Sequence, residues 1–371
     1  MAKKIKVLYI LPSLTICNGI SSYAMNYFRN IDRERIHIDF LISNDNPSPY
    51  FDEISSTDSQ IYILPRLKIK NSIKFIKSVF HFFKTHKDDY DIVHCHIVNA
   101  GSIYLLAARY YGIKVRILHS HVTKSADITS HKIRNDILGY FAVRNANCYF
   151  ACSSKAGEYL FKSRRFKVIN NAIDIENYRF DTDKREEVRE SLDIKDKFVL
   201  GTVGRLCAQK NQKFLLDIFS EVCKKDENSV LLIVGNGPLE QELKIKADKL
   251  CVSDKVLFLG SRQDVNDLYQ AMDVFLLPSI YEGLGIVLIE AQVSGLVCIG
   301  SDVIPKDVKV TNLMHLISLG KDAKYWSEEI IKNKNLNSRC SRCQEIKSAD
   351  YSIVEESKKL GKTYMRLWNE N

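Results

Sequence analysis

Short apolar runs rich in β-branched residues recur along both halves of this chain. In the first half they are Ile5–Leu11, Ile36–Ile42, Ile61–Leu64, Asp91–His94, Val115–His119 and Cys148–Cys152. In the second half they are Phe198–Val203, Val230–Val234, Val256–Leu259, Val274–Leu277 and Leu296–Gly300. Few polar residues interrupt these runs, which is typical of strands that are buried on both faces of a parallel sheet.

Helix-like segments separate the runs, and their apolar residues recur at spacings of three and four. The clearest of them are Ser21–Asn30, Ile73–Phe83, Asn211–Lys224 and Leu239–Leu250. Alternation of strands and helices in both halves predicts an α/β fold with two Rossmann-like, doubly wound parallel-sheet domains that face a central cleft. Ligands of such domains bind at the carboxyl ends of the strands, so we expect them in that cleft.

The length of 371 residues exceeds what one hydrophobic core usually serves. We expect one domain over residues 1–175 and a second over residues 176–352, with a final helix over 353–371 that packs back on the first domain. The joint is expected in the polar stretch 174–197. That stretch contains Asp181-Thr182-Asp183, which we interpret as part of a solvated linker.

Charge and composition narrow the class of protein. Lys and Arg number 54 against 45 Asp and Glu, an excess of nine that suits anionic ligands or an anionic membrane surface. No zinc-finger or ribonucleoprotein signature supports a nucleic-acid partner. No run approaches the ~18 apolar residues of a membrane span, so a cytoplasmic location is expected. The single Cys340-x-x-Cys343 pair lacks the second pair that a zinc site needs, and no metal is expected there.

The basic segment 66–87 has two interpretations. Its apolar residues Ile69, Ile73, Ile76, Phe80 and Phe83 form one helical stripe among many lysines. A surface helix that packs this stripe on the sheet is one interpretation. The other is a helix that rests on anionic lipid, with Phe75 and Phe82 widening the apolar face.

The strongest chemical signal is YEGLGIVLIEA, residues 281–291. A strand, a loop with Gly283 and Gly285 and then a helix N-terminus make an anion site, because backbone N–H groups and the helix dipole both favour negative charge. On one helix Glu282 and Glu290 would be about 12 Å apart along the axis, too far to act as an acid–base pair on one bond. We therefore place Glu282 near the reacting group and Glu290 further along the helix.

Three further turns carry candidate residues. In GRLCAQK, residues 204–210, Arg205 and Lys210 follow a strand and can converge on a diphosphate. Gly19 follows the first strand, where a glycine allows close approach of backbone to phosphate. His119 and His121 follow the fifth strand and can hydrogen-bond sugar hydroxyls.

Two sequence features have alternative cofactor interpretations. His119 and His121 could hold zinc together with His94 and His96, but no carboxylate or thiolate completes the set, so no metal is expected. The segment 235–238, GNGP, lacks the third glycine of a dinucleotide fingerprint, so no nicotinamide cofactor is expected.

Taken together, the segments resemble the family 4 retaining glycosyltransferases of the two-Rossmann (GT-B) type, in the branch that builds capsular polysaccharides and exopolysaccharides. The resemblance rests on NGISSYAMNYFR (18–29), DIVHCH (91–96), RILHSH (116–121), YFACSSKAGEYLF (149–161), VGRLCAQKNQKFLL (203–216) and AMDVFLLPSIYEGL (271–284). Two departures are Asn18 before Gly19, where many members have two glycines, and Gly285, where proline or phenylalanine is common.

The resemblance implies a role for each matched residue. Arg205 and Lys210 would neutralise the departing diphosphate, and Glu282 would lie near the transferred sugar. Glu290 would bind the ribose, Gly19 would contact the diphosphate, and His119 or His121 would contact the sugar, with His121 slightly favoured. The backbone N–H groups that would hold the donor are those of Gly283, Leu284, Gly285, Ile286 and Val287.

The resemblance thus implies an acceptor-binding first domain and a second domain that binds a nucleotide sugar, with uridine diphosphate as the expected nucleotide. The acceptor would be a glycan, and membrane contact through segment 66–87 would suit a lipid-linked one at the inner face of the membrane. Neither metal nor other cofactor would be needed. Two alternatives stay open: a GT-B-type nucleotide-sugar epimerase, and a non-catalytic nucleotide-sugar-binding partner subunit.

Overall fold

The computed structural model describes residues 4–16, 18–44, 46, 48–121, 123, 129–334 and 339–370. The chain divides into two compact units. Unit 1 comprises residues 1–172 together with 353–371, and unit 2 comprises residues 173–352.

Unit 1 is built on a seven-stranded parallel sheet with the strand order β3-β2-β1-β4-β5-β6-β7. Its strands are β1 Ile5–Leu11, β2 Ile36–Ile42, β3 Ile61–Ile63, β4 Ile92–Cys95, β5 Val115–Ser120, β6 Cys148–Ala151 and β7 Lys167–Val168. Its first six helices are α1 Gly19–Asn30, α2 Pro49–Ser55, α3 Ser72–Thr85, α4 Gly101–Tyr110, α5 Thr129–Asn145 and α6 Ser154–Phe161. The central strands are buried on both faces, as their continuous apolar sequence requires.

Unit 2 is built on a six-stranded parallel sheet with the order β10-β9-β8-β11-β12-β13. Its strands are β8 Phe198–Val203, β9 Ser229–Val234, β10 Val256–Gly260, β11 Val274–Leu277, β12 Val297–Ser301 and β13 Met314–Ile317. Its helices are α7 Thr182–Ser191, α8 Gln212–Lys225, α9 Glu240–Lys249, α10 Val265–Ala271, α11 Ile286–Val293, α12 Ala323–Lys332 and α13 Cys343–Ser348. The two parallel sheets confirm the predicted two-domain Rossmann-like fold.

The last helix, α14 Ile353–Asn369, belongs to unit 1. Its Leu360 and Tyr364 are buried in the same hydrophobic core as Tyr9 of β1 and Tyr27 of α1. The helix therefore covers one face of the first sheet beside α1. Within the described part of the chain, no helix combines the length and the apolar character needed to cross a lipid bilayer.

Both sheets have one point at which the strand order reverses. In unit 1 this point lies between β1 and β4, and in unit 2 it lies between β8 and β11. The connections that leave these strands run to opposite faces of the sheet, so a crevice opens at the carboxyl ends of the two strands. The residues that follow β1, β4, β8 and β11 are therefore placed for ligand binding by topology alone.

The face that α3 packs on the sheet differs from the predicted stripe. Phe75, Val79, Phe82 and Phe83 are buried, whereas Ile73 is 71% exposed and Ile76 is 40% exposed. The helix has apolar residues on two faces, and the face with the larger phenylalanine side chains is the one that the core takes up. The expectation that Ile73 and Ile76 pack on the sheet was therefore wrong, and so was the expectation that Phe75 and Phe82 face outward.

Residues 174–197 are part of unit 2, and the interpretation of this stretch as a solvated linker was wrong. Asp181 caps α7 by accepting a hydrogen bond from the backbone N–H of Lys184 at 3.0 Å. Arg185 and Arg189 of α7 both bind the carboxylate of Asp273, which precedes β11. The helix has no apolar stripe because ion pairs, rather than apolar contacts, attach it to the domain.

Candidate functional site

In unit 2 the loops that follow β8 and β9 are in direct backbone contact. The N–H of Leu206 donates to the carbonyl of Asn236 at 3.0 Å, and the N–H of Leu239 donates to the carbonyl of Leu206 at 3.2 Å. A Cβ on Gly235 would lie 2.2 Å from the carbonyl oxygen of Gly204, so only glycine fits there. The glycines of segment 235–238 thus serve this close approach, which fixes the turn that carries Arg205 and Lys210.

The loops after β8 and β11 meet at the position where the strand order reverses. Ile280 N–H donates to the carbonyl of Gln209 at 2.8 Å, and the Gln209 side chain donates to the carbonyl of Tyr281 at 3.0 Å. These bonds bring Lys210 onto Glu282, with Nζ 2.6 Å from Oε1. Two residues that were predicted separately are therefore in direct contact.

The Lys210–Glu282 pair is largely withdrawn from solvent, with side-chain exposures of 17% and 7%. The hydroxyl of Ser279 donates to the same Oε1 of Glu282 at 2.7 Å. Two hydrogen bonds to one oxygen fix the orientation of the Glu282 carboxylate. Sequence reasoning missed Ser279, although its position directly after β11 was a signal.

Arg205 differs from Lys210 in its surroundings. Its side chain is exposed, and across the residues that the structure describes its guanidinium makes no hydrogen bond or ion pair. Its backbone is fixed, because the carbonyl of Arg205 accepts from the side chain of Gln212 at 3.0 Å. The structure therefore places Arg205 on the same turn as Lys210 but does not join the two side chains.

Helix α11 begins directly after the loop that carries Glu282. Gly285 occupies the N-cap position with φ of 88°, a left-handed conformation that side chains other than glycine rarely adopt. As a glycine it offers no capping side chain, so the first N–H groups of α11 lack a side-chain cap. Such N–H groups together with the helix dipole form an anion site. Leu284 contributes its backbone only, because its side chain is buried in the core.

Glu290 lies about one turn into α11 and interacts with tyrosines. The hydroxyl of Tyr269 donates to Oε2 of Glu290 at 2.8 Å. Burial raises the pKa of Glu290 to about 7, against the opposing effect of hydrogen bonds from Tyr269 and Tyr178. Neither tyrosine could be found from the sequence, because each is separated from Glu290 by a strand or more.

In unit 1, Gly19 is the first residue of α1. The side chain of Asn18 caps this helix, accepting from the N–H groups of Ile20 at 3.0 Å and Ser21 at 3.2 Å. A Cβ on Gly19 would meet no atom within 4 Å, so the packing of the chain itself does not require glycine here. The asparagine that departs from the family pattern thus acts as the helix cap.

Four histidines at the ends of β4 and β5 lie side by side on one face of the first sheet: His94 and His119 within the strands, and His96 and His121 directly after them. His94 and His96 are stacked with ring centroids 4.2 Å apart, and His119 and His121 are stacked at 4.1 Å. Nε2 of His94 lies 3.1 Å from Nδ1 of His119, and Nδ1 of His96 lies 2.9 Å from Nε2 of His121. Burial lowers the pKa of every member, that of His121 to about 3, so all four rings are neutral at pH 7.

This histidine cluster bears on the choice between His119 and His121. His119 is fully buried, whereas His121 is partly exposed. Among the described residues, His94, His96 and His119 have nitrogen atoms within 4.8 Å of one another and could hold a metal. However, Nε2 of His94 and Nδ1 of His119 face each other in a hydrogen bond, so the arrangement is already accounted for without an ion.

Comparison with known proteins identifies the family of the chain. The family model Glycosyltransferase Family 4 matches residues 17–177, and the model Glycosyl transferases group 1 matches residues 183–347. EpsF of Bacillus subtilis is 31% identical over 336 residues, covering 88% of this chain and 87% of EpsF. A UDP-Gal:alpha-D-GlcNAc-diphosphoundecaprenol alpha-1,3-galactosyltransferase of Escherichia coli is 27% identical, covering 98% of this chain and 97% of that protein.

Solved structures show the same fold. The crystal structure of Alr3699/HepE of Anabaena in complex with UDP-glucose superposes with a TM-score of 0.82 at 18% identity, covering 98% of this chain and all of that one. The two family models, the relatives and the paired parallel-sheet units lead to one conclusion. This chain belongs to the family 4 glycosyltransferases of the GT-B type and is a glycosyltransferase of polysaccharide or glycolipid biosynthesis.

Proposed function

We propose that this chain is a retaining glycosyltransferase that moves a sugar from a uridine diphosphate donor to a hydroxyl of a glycan acceptor. The observation that carries the proposal is the buried Lys210–Glu282 pair beside the uncapped start of α11. A cation and a helix N-terminus at one strand edge suit a diphosphate, and a fixed carboxylate beside them suits a polar, uncharged sugar.

Within this proposal each residue has a distinct task. Arg205 and Lys210 neutralise the two phosphates, and the N–H groups of residues 283–287 bind their oxygens. Glu290 accepts a hydrogen bond from a ribose hydroxyl. Glu282 orients the sugar, and its ion pair with Lys210 holds both groups in place before the donor binds.

The reaction needs no nucleophile from the protein. The bond between the sugar C1 and the diphosphate oxygen breaks, and the diphosphate leaves with both bonding electrons. The acceptor oxygen then forms its bond to C1 on the face that the diphosphate leaves, which retains the configuration. A diphosphate oxygen takes the proton of the acceptor hydroxyl. Arg205, Lys210 and the start of α11 lower the barrier by stabilising the charge that develops on the diphosphate.

The names of the relatives support a uridine nucleotide and a lipid-linked acceptor. The Escherichia coli relative is named for UDP-Gal as donor and for a diphosphoundecaprenol as acceptor, and HepE crystallised with UDP-glucose. We extend both features to this chain: the donor is a UDP-sugar, and the acceptor is an oligosaccharide on a lipid carrier at the inner face of the membrane.

A membrane surface for this acceptor is proposed on three adjacent helices of unit 1. The outer face of α5 has large apolar side chains, while its inner face has small ones such as Gly139 and Ala142. The exposed apolar residues of the three helices are Ile73 and Ile76 of α3, Leu106 and Tyr110 of α4, and Ile133, Ile137, Tyr140 and Phe141 of α5. We call these eight residues the outer apolar surface.

Positive charge accompanies the outer apolar surface. Lys74 and Lys77 of α3 are exposed beside Ile73 and Ile76, and Arg134 and Arg144 are exposed on α5. An apolar face with basic neighbours matches a bilayer that contains anionic lipids, because the apolar groups enter the interface and the cations meet the headgroups. The lipid-binding face is therefore the outer apolar surface and not the buried phenylalanines of α3, which are packed on the sheet.

A panel of nucleotide sugars tests the proposed donor. Binding of a ligand at ~100 times its Kd adds about 2.7 kcal/mol to the stability of the folded chain, so the true donor raises the melting temperature. We expect stabilisation by UDP and by one or a few UDP-sugars, and none by GDP-mannose. The stabilising sugar is then incubated with a lipid-linked acceptor, and the anomeric configuration of the product is read by NMR. Inversion, or release of an isomerised free sugar, would contradict the proposal.

A further inference from the structure

One of the two histidine pairs continues into a longer hydrogen-bonded chain. Nδ1 of His94 lies 2.6 Å from the hydroxyl of Tyr364, which is 270 residues away in sequence on α14. The hydroxyl of Tyr364 lies 3.0 Å from that of Tyr9 in β1. These hydrogen bonds run from Tyr9 through Tyr364 and His94 to His119, and we call the four groups the relay. It ends at Nε2 of His119, a buried atom with no hydrogen-bond partner among the described residues.

All four groups of this relay are uncharged at pH 7. Burial lowers the pKa of His94 and His119 and raises the pKa of Tyr9 and Tyr364. A neutral imidazole has one N–H and one bare nitrogen, and a phenol has one O–H. Each link needs one donor and one acceptor, so the tautomer of His94 decides between two directions: its Nε2–H donates to His119, or its Nδ1–H donates to Tyr364.

In the first direction Tyr9 donates to Tyr364, and Tyr364 donates to Nδ1 of His94. The remaining proton of His94 is on Nε2 and is donated to Nδ1 of His119, which must then carry its own proton on Nε2. One polar group, the Nε2–H of His119, is left without a partner. In the reverse direction two are left. One is the bare Nε2 of His119, and the other is the O–H of Tyr9 or, where Tyr364 accepts from both neighbours, the O–H of Tyr364; no other acceptor for either hydroxyl lies among the described residues. Buried unpaired polar groups are unfavourable, so the first direction is the stable one.

The second pair, His96 and His121, has no such preference. Its outer atoms, Nε2 of His96 and Nδ1 of His121, both lack partners among the described residues. Either direction of the bond between the two rings leaves one bare nitrogen and one N–H unpaired. His121 can therefore present a donor or an acceptor at Nδ1, whereas the relay restricts His119 to one tautomer.

We propose that Tyr364 and His94 are positioning residues that hold His119 as an Nε2–H donor. The inference rests on the proposed function and on the family resemblance, which implies that His119 or His121 contacts the transferred sugar. A fixed donor at His119 suits a sugar oxygen that offers a lone pair, and the adaptable His121 suits a hydroxyl that can serve in either sense. The last helix of the chain thereby sets the tautomer of a residue in the candidate site.

The tautomer of His119 can be measured directly in the full chain. In protein labelled with ¹⁵N-histidine, long-range ¹H–¹⁵N spectra distinguish Nδ1–H from Nε2–H, and His119→Gln assigns the signal. We expect Nε2–H in the wild type. Tyr364→Phe removes the donor to His94, makes the two directions equivalent and produces a mixture of tautomers. Tyr9→Phe leaves the Tyr364 donor in place and preserves the Nε2–H form.

Tyr104→Phe is the matched control. Tyr104 is also a fully buried tyrosine of unit 1, but it lies on α4 and packs against Phe75, away from the histidines. Loss of the Tyr104 hydroxyl should leave the His119 spectrum unchanged. The variant thus tests whether removing a hydroxyl from any buried tyrosine alters that spectrum. A His119 with Nδ1–H in the wild type would overturn the proposal, as would an unchanged tautomer in a folded Tyr364→Phe.

Binding of UDP-glucose as a probe separates this inference from the proposed function. We expect Tyr364→Phe to weaken UDP-glucose binding about 3- to 10-fold relative to Tyr104→Phe, the effect of one misplaced hydrogen bond. If neither protein binds any UDP-sugar, the proposed donor fails while the spectra still decide the relay. If binding is equal in both variants although the tautomer has changed, His119 has no role at the sugar and the proposal fails.

Discussion

The hydroxyl of Tyr269 donates a 2.8 Å hydrogen bond to Oε2 of Glu290, and it joins α10 to α11, the helix whose start is the proposed anion site. Tyr178 also hydrogen-bonds this carboxyl group, yet burial prevails and the pKa of Glu290 lies at about 7. Glu290 is therefore near half-protonation at neutral pH. The ionised form offers a ribose hydroxyl acceptors only, whereas the protonated form can also donate a hydrogen bond.

The first prediction follows from the sign of this shift. The folded pKa of about 7 exceeds the ordinary glutamate pKa of 4.5, so the folded chain binds more protons than the unfolded chain between these values. Glu290 thus loses its favourable contribution as the pH rises from about 4.5 through 7. Relative to the wild type, Glu290→Gln should gain about 1–3 kcal/mol in unfolding free energy between pH 5 and pH 8. Urea unfolding of the wild type and of Glu290→Gln at pH 5 and pH 8 measures this difference in unfolding free energy.

Glu186→Gln is the control for that measurement, because Glu186 is exposed on α7. It should show the pH dependence of the wild type. Equal pH dependence in Glu290→Gln and the wild type would contradict a titration of Glu290 near neutrality.

The second prediction concerns the buried pair. Lys210→Ala leaves the carboxylate of Glu282 with Ser279 but without its cation, and loss of one partner of a buried pair costs about 3–5 kcal/mol. The double variant Lys210→Met/Glu282→Gln removes both charges and should recover most of this loss. Transfer should fall roughly 10²–10³-fold in both, because the diphosphate loses a cation. Denaturant unfolding and single-turnover assays measure the two effects.

Lys213→Ala provides the comparison for Lys210→Ala, since Lys213 lies on the next helix in an exposed 2.6 Å pair with Glu242. Its effect on stability should stay below about 1 kcal/mol. A double variant that regains transfer along with stability would show that the charge of Lys210 acts on the fold alone.

The third prediction tests the attachment of α7. Asp273 accepts hydrogen bonds from Arg189 at 2.6 Å and from the backbone N–H of Val199 at 2.8 Å, and it also binds Arg185. Asp273→Ala leaves two partly buried guanidinium groups without their anion and should destabilise unit 2 by about 3–5 kcal/mol. Glu187→Ala, which removes only an exposed pair with Lys184, should change stability by less than about 1 kcal/mol. Comparable losses in the two variants would refute this role.

Most strands were predictable from the sequence because parallel strands buried on both faces appear as unbroken apolar runs. The exceptions have physical reasons. β7 consists of two exposed residues, Lys167 and Val168, and β13 is interrupted by the exposed His315. The outward face of α3 was mistaken because two apolar stripes share that helix, and spacing alone does not tell which stripe the core buries.

The candidate site was predictable only as far as the strand ends reveal it. Lys210, Glu282 and Gly19 follow strands, so topology brings them to the strand-order reversals. The partners of these residues come from distant parts of the chain. Tyr269 of α10 hydrogen-bonds Glu290, and Tyr364 of the last helix hydrogen-bonds His94. No local pattern marks a tyrosine as a hydrogen-bond donor to a residue that lies so far away.

The fourth prediction separates two glycines. Gly285 has φ of 88°, so Gly285→Ala should lose about 1–3 kcal/mol of stability from backbone strain. Gly19 begins α1, and a Cβ there meets no atom, so Gly19→Ala should leave the melting temperature unchanged or slightly raised. Its affinity for UDP should fall nonetheless, because the added methyl group occupies the space proposed for the diphosphate. Unchanged affinity for UDP in Gly19→Ala would remove Gly19 from the donor site.

The last prediction concerns the outer apolar surface. Ile133 and Ile137 are more than half exposed on α5, and Lys74 and Lys77 are exposed on α3. Vesicles that contain phosphatidylglycerol should co-sediment the wild type, and vesicles of phosphatidylcholine alone should bind it more weakly. Each lysine near an anionic bilayer contributes about 1 kcal/mol, so Lys74→Gln/Lys77→Gln should weaken binding roughly 30-fold, and addition of salt should weaken the wild type similarly.

Ile133→Ser/Ile137→Ser should weaken binding to both kinds of vesicle, because it removes the apolar part of the interaction rather than the charge. Ile245→Ser is the matched control, since Ile245 is 47% exposed on α9 of unit 2. If the Ile133/Ile137 variant binds phosphatidylglycerol vesicles as the wild type does, α5 does not touch the bilayer. If it instead converts an oligomer to a monomer in size-exclusion chromatography, the surface joins two copies of the chain, and the acceptor must reach the enzyme without this contact.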